Sequence, residues 1–237
     1  FERPLIRMRE TIEIIRKASR GEKLVLDGDR VVLPRPGGQG KALRLAHEAT
    51  DVPIFLATLA PRALEMTGAL ADGWLGTCFT PDAPEAHLAH LRRGAEKSGR
   101  TLQDLRLCVD VAVGFSSDAE ALVQKQKPAM AFQLSAMGSP TMNFYNDAYA
   151  RAGFDEPCQA VRQLWLEGDR AGAISAVPDA MVRATTLLGD EAHVRKRLAL
   201  YRDCGIAELT LHPVGKNTRD RLDTLGRAVE LVREVSG

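Results

Sequence analysis

The sequence lacks the marks of several protein classes. No apolar stretch approaches the roughly 18 residues that a membrane helix needs, and the N-terminus shows no signal-peptide pattern. Neither sign of charge is in excess, because 32 basic residues stand against 31 acidic ones, for a net charge of +1. This balance leaves no electrostatic footprint for nucleic acid or an anionic membrane. We therefore expect neither a nucleic-acid partner nor a membrane partner.

Cysteine is scarce and shows no metal-binding spacing. The four cysteines are dispersed, without a C-x-x-C pair, which predicts a reduced, cytoplasmic protein and argues against a zinc site. His87 and His90 share one face of a predicted helix at i, i+3, but the sequence supplies no third ligand. We therefore predict no metal.

What is present is the composition of an ordinary globular protein, with 45% hydrophobic and 27% charged residues. No repeat, low-complexity segment or clear linker divides the chain, so we predict a single domain over residues 1–237. The chain has no initiator methionine. It opens with FERPLIRMRE, already inside an amphipathic pattern, and we expect it to be truncated.

Apolar periodicity predicts strands that alternate with helices. Helical spacing covers residues 4–20, and two β-branched runs around Asp27–Gly28 predict a hairpin with a type I′ turn. Residues 117–197 are mostly helical and form an insertion. This order is typical of an α/β fold, in which helices cover a parallel sheet. Nearly continuous apolar runs predict its four strands, over 53–58, 74–78, 105–115 and 207–215.

The best candidate site is the turn that follows the first of these strands. Pro61 suits the first position of a helix, where free backbone N–H groups and the helix dipole favour an anion. Ala57 and Ala60 are small enough for close approach, and Thr58 offers a hydroxyl. The same turn occurs in α/β proteins where it binds nothing, so these residues alone leave both interpretations open.

A longer segment around this turn resembles a known family. PIFLATLAPRALEMTGALADGWLGTCFTPD (53–82) is similar to a segment of the bacterial-luciferase-like flavin and deazaflavin oxidoreductases, with landmarks at Pro53, Ala57, Pro61, Gly68, Ala71, Asp72 and Gly73. The resemblance continues through NFYNDAYARAGF (143–154), AVPDAMV (176–182) and LLGDEAHVRKRLALYRDCGIAELTLHPVG (187–215). These segments lie mainly in the C-terminal two-thirds, and the opening helix with its hairpin extends the resemblance over nearly the whole chain.

The resemblance implies a (β/α)8 TIM barrel of the bacterial-luciferase-like type, with the cofactor at the C-terminal mouth of the strands. The motifs NFYN, GF and VPD resemble those of the family branch that uses coenzyme F420. FMN is the alternative cofactor. The cofactor-binding residues that the resemblance implies are Ala57, Thr58, Leu59, Ala60, Pro61, Gly76 and Thr77. The family often has glycine where Ala60 stands, so either the extra methyl crowds the cofactor's phosphate or the turn at Ala60 avoids positive φ.

The barrel is predicted to be incomplete. A barrel of this type needs eight strands in roughly 250 residues, whereas the chain supplies about four C-terminal barrel strands and the helical insertion. About the first hundred residues of the family pattern, with its strands one to four, are expected to be absent. Relatives place most ring-contacting and proton-donating residues on those strands, so we name no catalytic residue.

Other polar residues near the strand ends have a functional and a structural interpretation. His212 lies near the end of the last strand, with Lys216 and Asn217 in the loop after it, where barrel enzymes place functional groups. A rim histidine and a solvated loop are the alternatives. Asp110 interrupts a strand, either as a general base or as a buried, hydrogen-bonded carboxylate. Cys78 either lines the pocket or fills space as a small apolar side chain.

Three functions stay open from the sequence. The resemblance implies a coenzyme F420-dependent oxidoreductase that transfers hydride between the deazaflavin and a small organic substrate. An FMN-dependent monooxygenase is the alternative among enzymes. The third hypothesis is a non-catalytic fragment or cofactor-binding remnant, because half a barrel exposes two unpaired sheet edges. A homodimer is expected from the family resemblance alone.

Overall fold

The computed structural model describes residues 2–139 and 141–236. The single-domain prediction also includes Phe1, Pro140 and Gly237, which lie outside the described residues. The first half of the chain contains α1 (Pro4–Ser19), β1 (Leu26–Asp27), β2 (Val32–Leu33), β3 (Phe55–Leu56), α2 (Pro61–Leu70), β4 (Gly73–Gly76), α3 (Glu85–Lys97) and β5 (Arg106–Phe115). The second half contains α4 (Ala119–Ser135), α5 (Phe144–Tyr149), α6 (Asp155–Leu166), α7 (Arg170–Ser175), α8 (Asp179–Ala184), β6 (Leu187–Gly189), α9 (Glu191–Asp203), β7 (Glu208–Pro213) and α10 (Thr218–Ser236).

The main sheet is parallel and is built around β5, which confirms the predicted α/β class. β3 pairs with β4, and β4 pairs with the first half of β5. β6 takes over the same edge of β5 where β4 ends, and β7 pairs with the opposite edge. Because all five strands run parallel, their carboxyl ends open toward the same side of the sheet.

The structure changes two details of the predicted elements. Strand β6 lies inside the region 117–197 that was predicted to be mostly helical, and the predicted end of that region falls within α9. The hairpin forms as predicted, with Leu26 opposite Leu33 and Asp27 opposite Val32. Its connection is nevertheless a four-residue loop over 28–31, not the predicted two-residue turn at Asp27–Gly28.

Helices α2 and α3 cross at close range because each contributes a glycine. A Cβ on Gly68 would overlap the backbone of Leu91, and one on Gly94 would overlap the backbone of Glu65. This crossing fixes α2 on the outside of β3 and β4. The start of α2, which carries the predicted site, is thereby held firmly at the sheet edge.

The insertion is a separate helical layer, α4–α8, with its own apolar cluster that includes Leu134, Val161 and Met181. Two buried asparagines of the NFYN motif brace it. Asn143 caps α5 through the backbone N–H groups of Tyr145 and Asn146. Asn146 donates to the carbonyls of Leu134 and Cys158, each at 2.9 Å.

The principal core lies between the sheet and the helices α3, α9 and α10, around Trp74, Val109 and Leu198. Burial of these large side chains is the main source of stability for the sheet layer. Among the described residues, no helix is both long enough and apolar enough to cross a membrane.

Candidate functional site

The predicted turn lies where β3 ends and α2 begins, at the carboxyl edge of the sheet. Ala60 occupies the N-cap position with extended backbone (φ −69°, ψ 142°), and no side chain caps the helix. Pro61 follows as the first helical residue. Within the described parts of the chain, the N–H groups of Arg62 and Ala63 have no protein acceptor. The turn therefore presents unpaired donors at the positive end of a helix dipole.

Thr58 fixes the turn from inside. Its hydroxyl lies 2.8 Å from the Thr67 hydroxyl, which in turn donates to the Ala63 carbonyl at 2.9 Å. Since the Thr67 proton is used in that bond, Thr58 must donate to Thr67 and has no proton left for an anion. The buried Thr58 side chain therefore supports the shape of the turn, and a ligand would meet backbone groups rather than this hydroxyl.

Gly76 also contributes to the site through packing. The Trp74 indole lies beneath the turn and donates to the Thr58 carbonyl at 2.9 Å. A Cβ on Gly76 would overlap this indole. Gly76 is buried, so the absence of a side chain there makes room for Trp74 and not directly for a ligand.

Sequence reasoning did not single out Arg151, which reaches the same turn from the helical insertion. Its Nη2 donates to the Leu59 carbonyl at 2.8 Å, across 92 positions of sequence. The Arg151 Nε is buried and has no hydrogen-bond partner. Burial lowers the pKa of the Arg151 guanidinium from its usual value. The quoted segment NDAYARAGF contains this arginine, but local sequence gives no sign that it meets residue 59.

A cavity of about 370 Å³ lies between the sheet and α4. Thr77 and Cys78 line it from the end of β4, Asp110 from β5 and His212 from β7. Gln126, Gln133 and Tyr149 close it from the insertion. The structure thus brings together Thr77, Cys78 and His212, which the sequence placed near separate strand ends, and Asp110, which it placed within a strand.

Asp110 and His212 face each other across adjacent strands. His212 Nε2 lies 3.6 Å from Asp110 Oδ2, and both side chains are substantially exposed. This exposure contradicts the interpretation of Asp110 as a buried carboxylate. The pair offers whatever occupies the cavity a carboxylate, which accepts hydrogen bonds, and an imidazole, which can donate or accept them.

Cys78 is buried in a left-handed conformation (φ 56°) at the back of the cavity. Burial raises the pKa of its thiol to about 12. The neighbouring Tyr149 hydroxyl donates to Gln133 Oε1 at 3.2 Å, and burial raises the pKa of Tyr149 as well. Both groups are therefore neutral at physiological pH, and Cys78 is not a reactive thiolate.

The remaining candidates do not join this site. Asn217 accepts from the Asp220 N–H at 3.0 Å and so caps α10, while Lys216 is exposed in the same loop. His87 is buried between the rings of Trp74 and Phe79. Among the described residues, no three His, Cys, Asp or Glu side chains are grouped to hold a metal ion.

Comparison with known proteins places these features in a family. The sequence model of the family described as luciferase-like monooxygenase matches residues 1–208. The match includes α1 and the hairpin, so it extends beyond the C-terminal two-thirds of the chain in which the quoted segments mainly lie.

Two sequence relatives carry names that refer to oxidoreductases. One is a Mycobacterium tuberculosis protein whose name proposes a coenzyme F420-dependent oxidoreductase, 30% identical over 89% of this chain and 63% of its own length. Another is the 5,10-methylenetetrahydromethanopterin reductase of Methanolobus tindarius, 28% identical over 97% of this chain and 67% of its own. The chain thus spans about two-thirds of the length of these relatives.

Solved structures share the fold. The coenzyme F420-dependent tetrahydromethanopterin reductase of Methanopyrus kandleri superposes with a TM-score of 0.70 at 22% identity, over 97% of this chain and 61% of that one. The monooxygenase RslO1 of Streptomyces bottropensis gives a TM-score of 0.56 at 18% identity, over 98% and 61%. At these identities the likeness concerns the fold alone.

Proposed function

We infer the function of this chain from the luciferase-like monooxygenase family, to which it belongs. We propose that it binds coenzyme F420 and forms the cofactor-holding part of an oxidoreductase whose barrel needs further strands. The observation that carries this proposal is the uncapped start of α2, with unpaired N–H groups on Arg62 and Ala63. The Mycobacterium tuberculosis relative, whose name refers to this cofactor, favours a deazaflavin.

The residues present fit the phosphate-bearing side chain of such a cofactor. Ala57, Leu59, Ala60 and Pro61 form the turn through their backbone, and Thr58 holds its shape. Unpaired amides and a helix N-terminus are the chemistry that proteins use for phosphate. Thr77, which follows β4, lines the cavity between the sheet and α4.

When bound, a deazaflavin supplies hydride chemistry at its C5, and the protein orients the ring and excludes water. This chain's contribution is one wall of that chamber. The wall bears Asp110, His212, Gln126 and Gln133, and no lysine or arginine occurs among the described residues that line it. We propose a small, polar substrate that is not anionic where it meets this wall, because an anion would face the Asp110 carboxylate without a cation.

FMN is the second candidate cofactor, because it shares the phosphate group and because monooxygenases share the fold. The turn engages a phosphate, which FMN also carries, and the fold is shared with monooxygenases. A fluorescence titration of the purified chain with coenzyme F420 and with FMN separates the two. We expect saturable binding of coenzyme F420 with at least tenfold preference over FMN; the reverse preference contradicts the deazaflavin proposal, and no binding of either contradicts the site.

Ala60→Tyr tests the position of the phosphate. A bulky side chain at the N-cap would occupy the space in front of the Arg62 and Ala63 amides, so we expect coenzyme F420 to bind about tenfold or more weakly. Ala46→Tyr, in an exposed loop, is the matched control and should bind like the unmodified chain. Equal affinity for Ala60→Tyr and its control would show that the phosphate lies elsewhere.

A further inference from the structure

Arg151 is a charged side chain that the protein itself does not pair. Its guanidinium is half-buried, one Nη donates to the Leu59 carbonyl, and its Nε is buried without a partner. Among the described residues, no carboxylate oxygen lies within 4.0 Å of it. Asp147 acts on Arg151 electrostatically, from beyond ion-pair distance.

Two other arginines with little exposure, Arg197 and Arg16, are each paired with an acid. Arg197 meets Asp82 Oδ2 at 2.6 Å, and Arg16 meets Asp72 Oδ1 at 3.2 Å. Removing a guanidinium from water costs free energy that proteins ordinarily recover through an ion pair and full hydrogen bonding. Arg151 makes only one hydrogen bond to the described residues, and its acceptor is the neutral carbonyl of Leu59. The described residues therefore supply no anion within ion-pair distance of Arg151.

The missing anion would lie at the turn. The Leu59 carbonyl that holds Arg151 belongs to the residue before the N-cap of α2, next to the unpaired amides of Arg62 and Ala63. We propose that Arg151 supplies the counter-charge for the cofactor's phosphate, so that the helical insertion and the β3–α2 turn close on it from two sides. This inference rests on the proposed function and adds to it a specific residue outside the sheet.

The insertion is built to hold Arg151 in place. The residue lies in a wide helical turn over 150–154 that ends in a kink at Gly153 (φ 98°), between α5 and α6. Such irregular turns occur frequently at functional sites. The preceding helix is braced by Asn143 and Asn146, and Ala152 is buried. A guanidinium presented from this rigid segment loses little freedom when an anion binds, which favours affinity.

The test compares two ligands that differ in the phosphate. Arg151→Met is titrated with coenzyme F420 and with the same deazaflavin lacking the phosphate-bearing side chain. We expect the substitution to weaken coenzyme F420 about ten- to one-hundredfold and to leave the phosphate-free ligand within about twofold. Arg151→Lys keeps the charge and should recover part of the loss. Arg92→Met removes an exposed arginine of α3 that pairs with Glu85 and serves as the control for net charge.

Thermal unfolding distinguishes a role of Arg151 in binding phosphate from a role in supporting the fold. Because Arg151 is desolvated without an ion pair, we expect Arg151→Met without ligand to unfold at the same temperature as the unmodified chain or higher. Added coenzyme F420 should raise the melting temperature of the variant less than that of the unmodified chain. A lower melting temperature without ligand, with unchanged preference for the phosphate, would show that Arg151 only supports the fold.

The outcomes separate this inference from the proposed function. If the unmodified chain binds neither coenzyme F420 nor FMN, the proposed function fails. If the unmodified chain binds coenzyme F420 and Arg151→Met binds it equally well, the cofactor site stands and the assignment of Arg151 is wrong. Equal weakening of both ligands by Arg151→Met would also overturn the assignment, because the contact would then not involve phosphate.

Discussion

At the scale of single residues, His87 connects the core to the candidate site. The ring has no exposure to solvent and lies 5.4 Å from the Trp74 ring and 5.9 Å from the Phe79 ring, measured between centroids. Neither ring nitrogen has a hydrogen-bond partner. Trp74 in turn holds the Thr58 carbonyl, so the aromatic group around His87 lies directly beneath the turn.

We predict that protonation of His87 makes the stability of the protein depend on pH. Burial, with a smaller contribution from Arg151, lowers the pKa of His87 to about 4. Between about pH 6.5 and pH 4 the unfolded chain binds a proton here that the folded chain does not. The free energy of unfolding should therefore fall as the pH is lowered through this window, by up to about 3 kcal/mol from this residue.

Urea unfolding at several pH values checks this prediction. His90 and His193 also have a pKa lowered by burial and affect the same window, so the informative quantity is the difference between the unmodified chain and His87→Leu. We expect the two curves of unfolding free energy against pH to diverge as the pH falls from about 6.5 to about 4. Curves that run parallel would mean that His87 is protonated equally in both states.

At the scale of secondary-structure elements, the α2–α3 crossing decides where the candidate site lies. α2 carries the turn at its start, and Gly94 on α3 allows the backbones to touch. We predict that Gly94→Ala lowers the free energy of unfolding by about 1–3 kcal/mol, because its methyl has no room against Glu65. Since the displaced α2 would carry Arg62 and Ala63 with it, affinity for the cofactor should fall as well.

Gly226→Ala is the matched control. Gly226 lies in the interior of α10, where an added Cβ meets open space. The substitution should raise the free energy of unfolding by up to about 1 kcal/mol, through helix propensity. Denaturant unfolding of both variants measures the contrast, and equal effects would show that helix propensity rather than close contact governs Gly94.

The elements themselves show what can be predicted from sequence. The run from Pro53 to Gly73 places β3, α2 and β4 because apolar runs, a proline at the helix start and small residues are local signals. β6 went undetected because three residues, Leu187–Gly189, carry too little periodicity. The hairpin loop was predicted too short because Asp27–Gly28 is a turn signal whatever the loop length.

The candidate site was predictable only in its local half. Ala57–Pro61 could be found because strand end, turn and helix start are contiguous. Arg151 and the Asp110–His212 pair depend on contacts between segments far apart in sequence. Thr58 and Gly76 stay predicted cofactor-binding residues, and their contacts with Thr67 and Trp74 are not revealed by sequence spacing.

At the scale of the whole molecule, the sheet is open among the described residues. β3 and β7 each have one edge without a partner strand there, and the chain covers 63% of one relative and 67% of another. We propose that further strands complete a barrel, which would cover both edges and bring the remaining wall of the cavity. The homodimer expected from the family resemblance stays a prediction, as does the alternative of a non-catalytic remnant.

The central claim is that the β3–α2 turn holds the phosphate of coenzyme F420, with Arg151 as its counter-charge. A crystal structure of the chain grown with coenzyme F420 tests it most directly. We predict phosphate oxygens within about 3 Å of the Arg62 and Ala63 amides and of the Arg151 guanidinium, with the deazaflavin extending toward Asp110 and His212. A cofactor bound with its phosphate away from this turn would contradict the account.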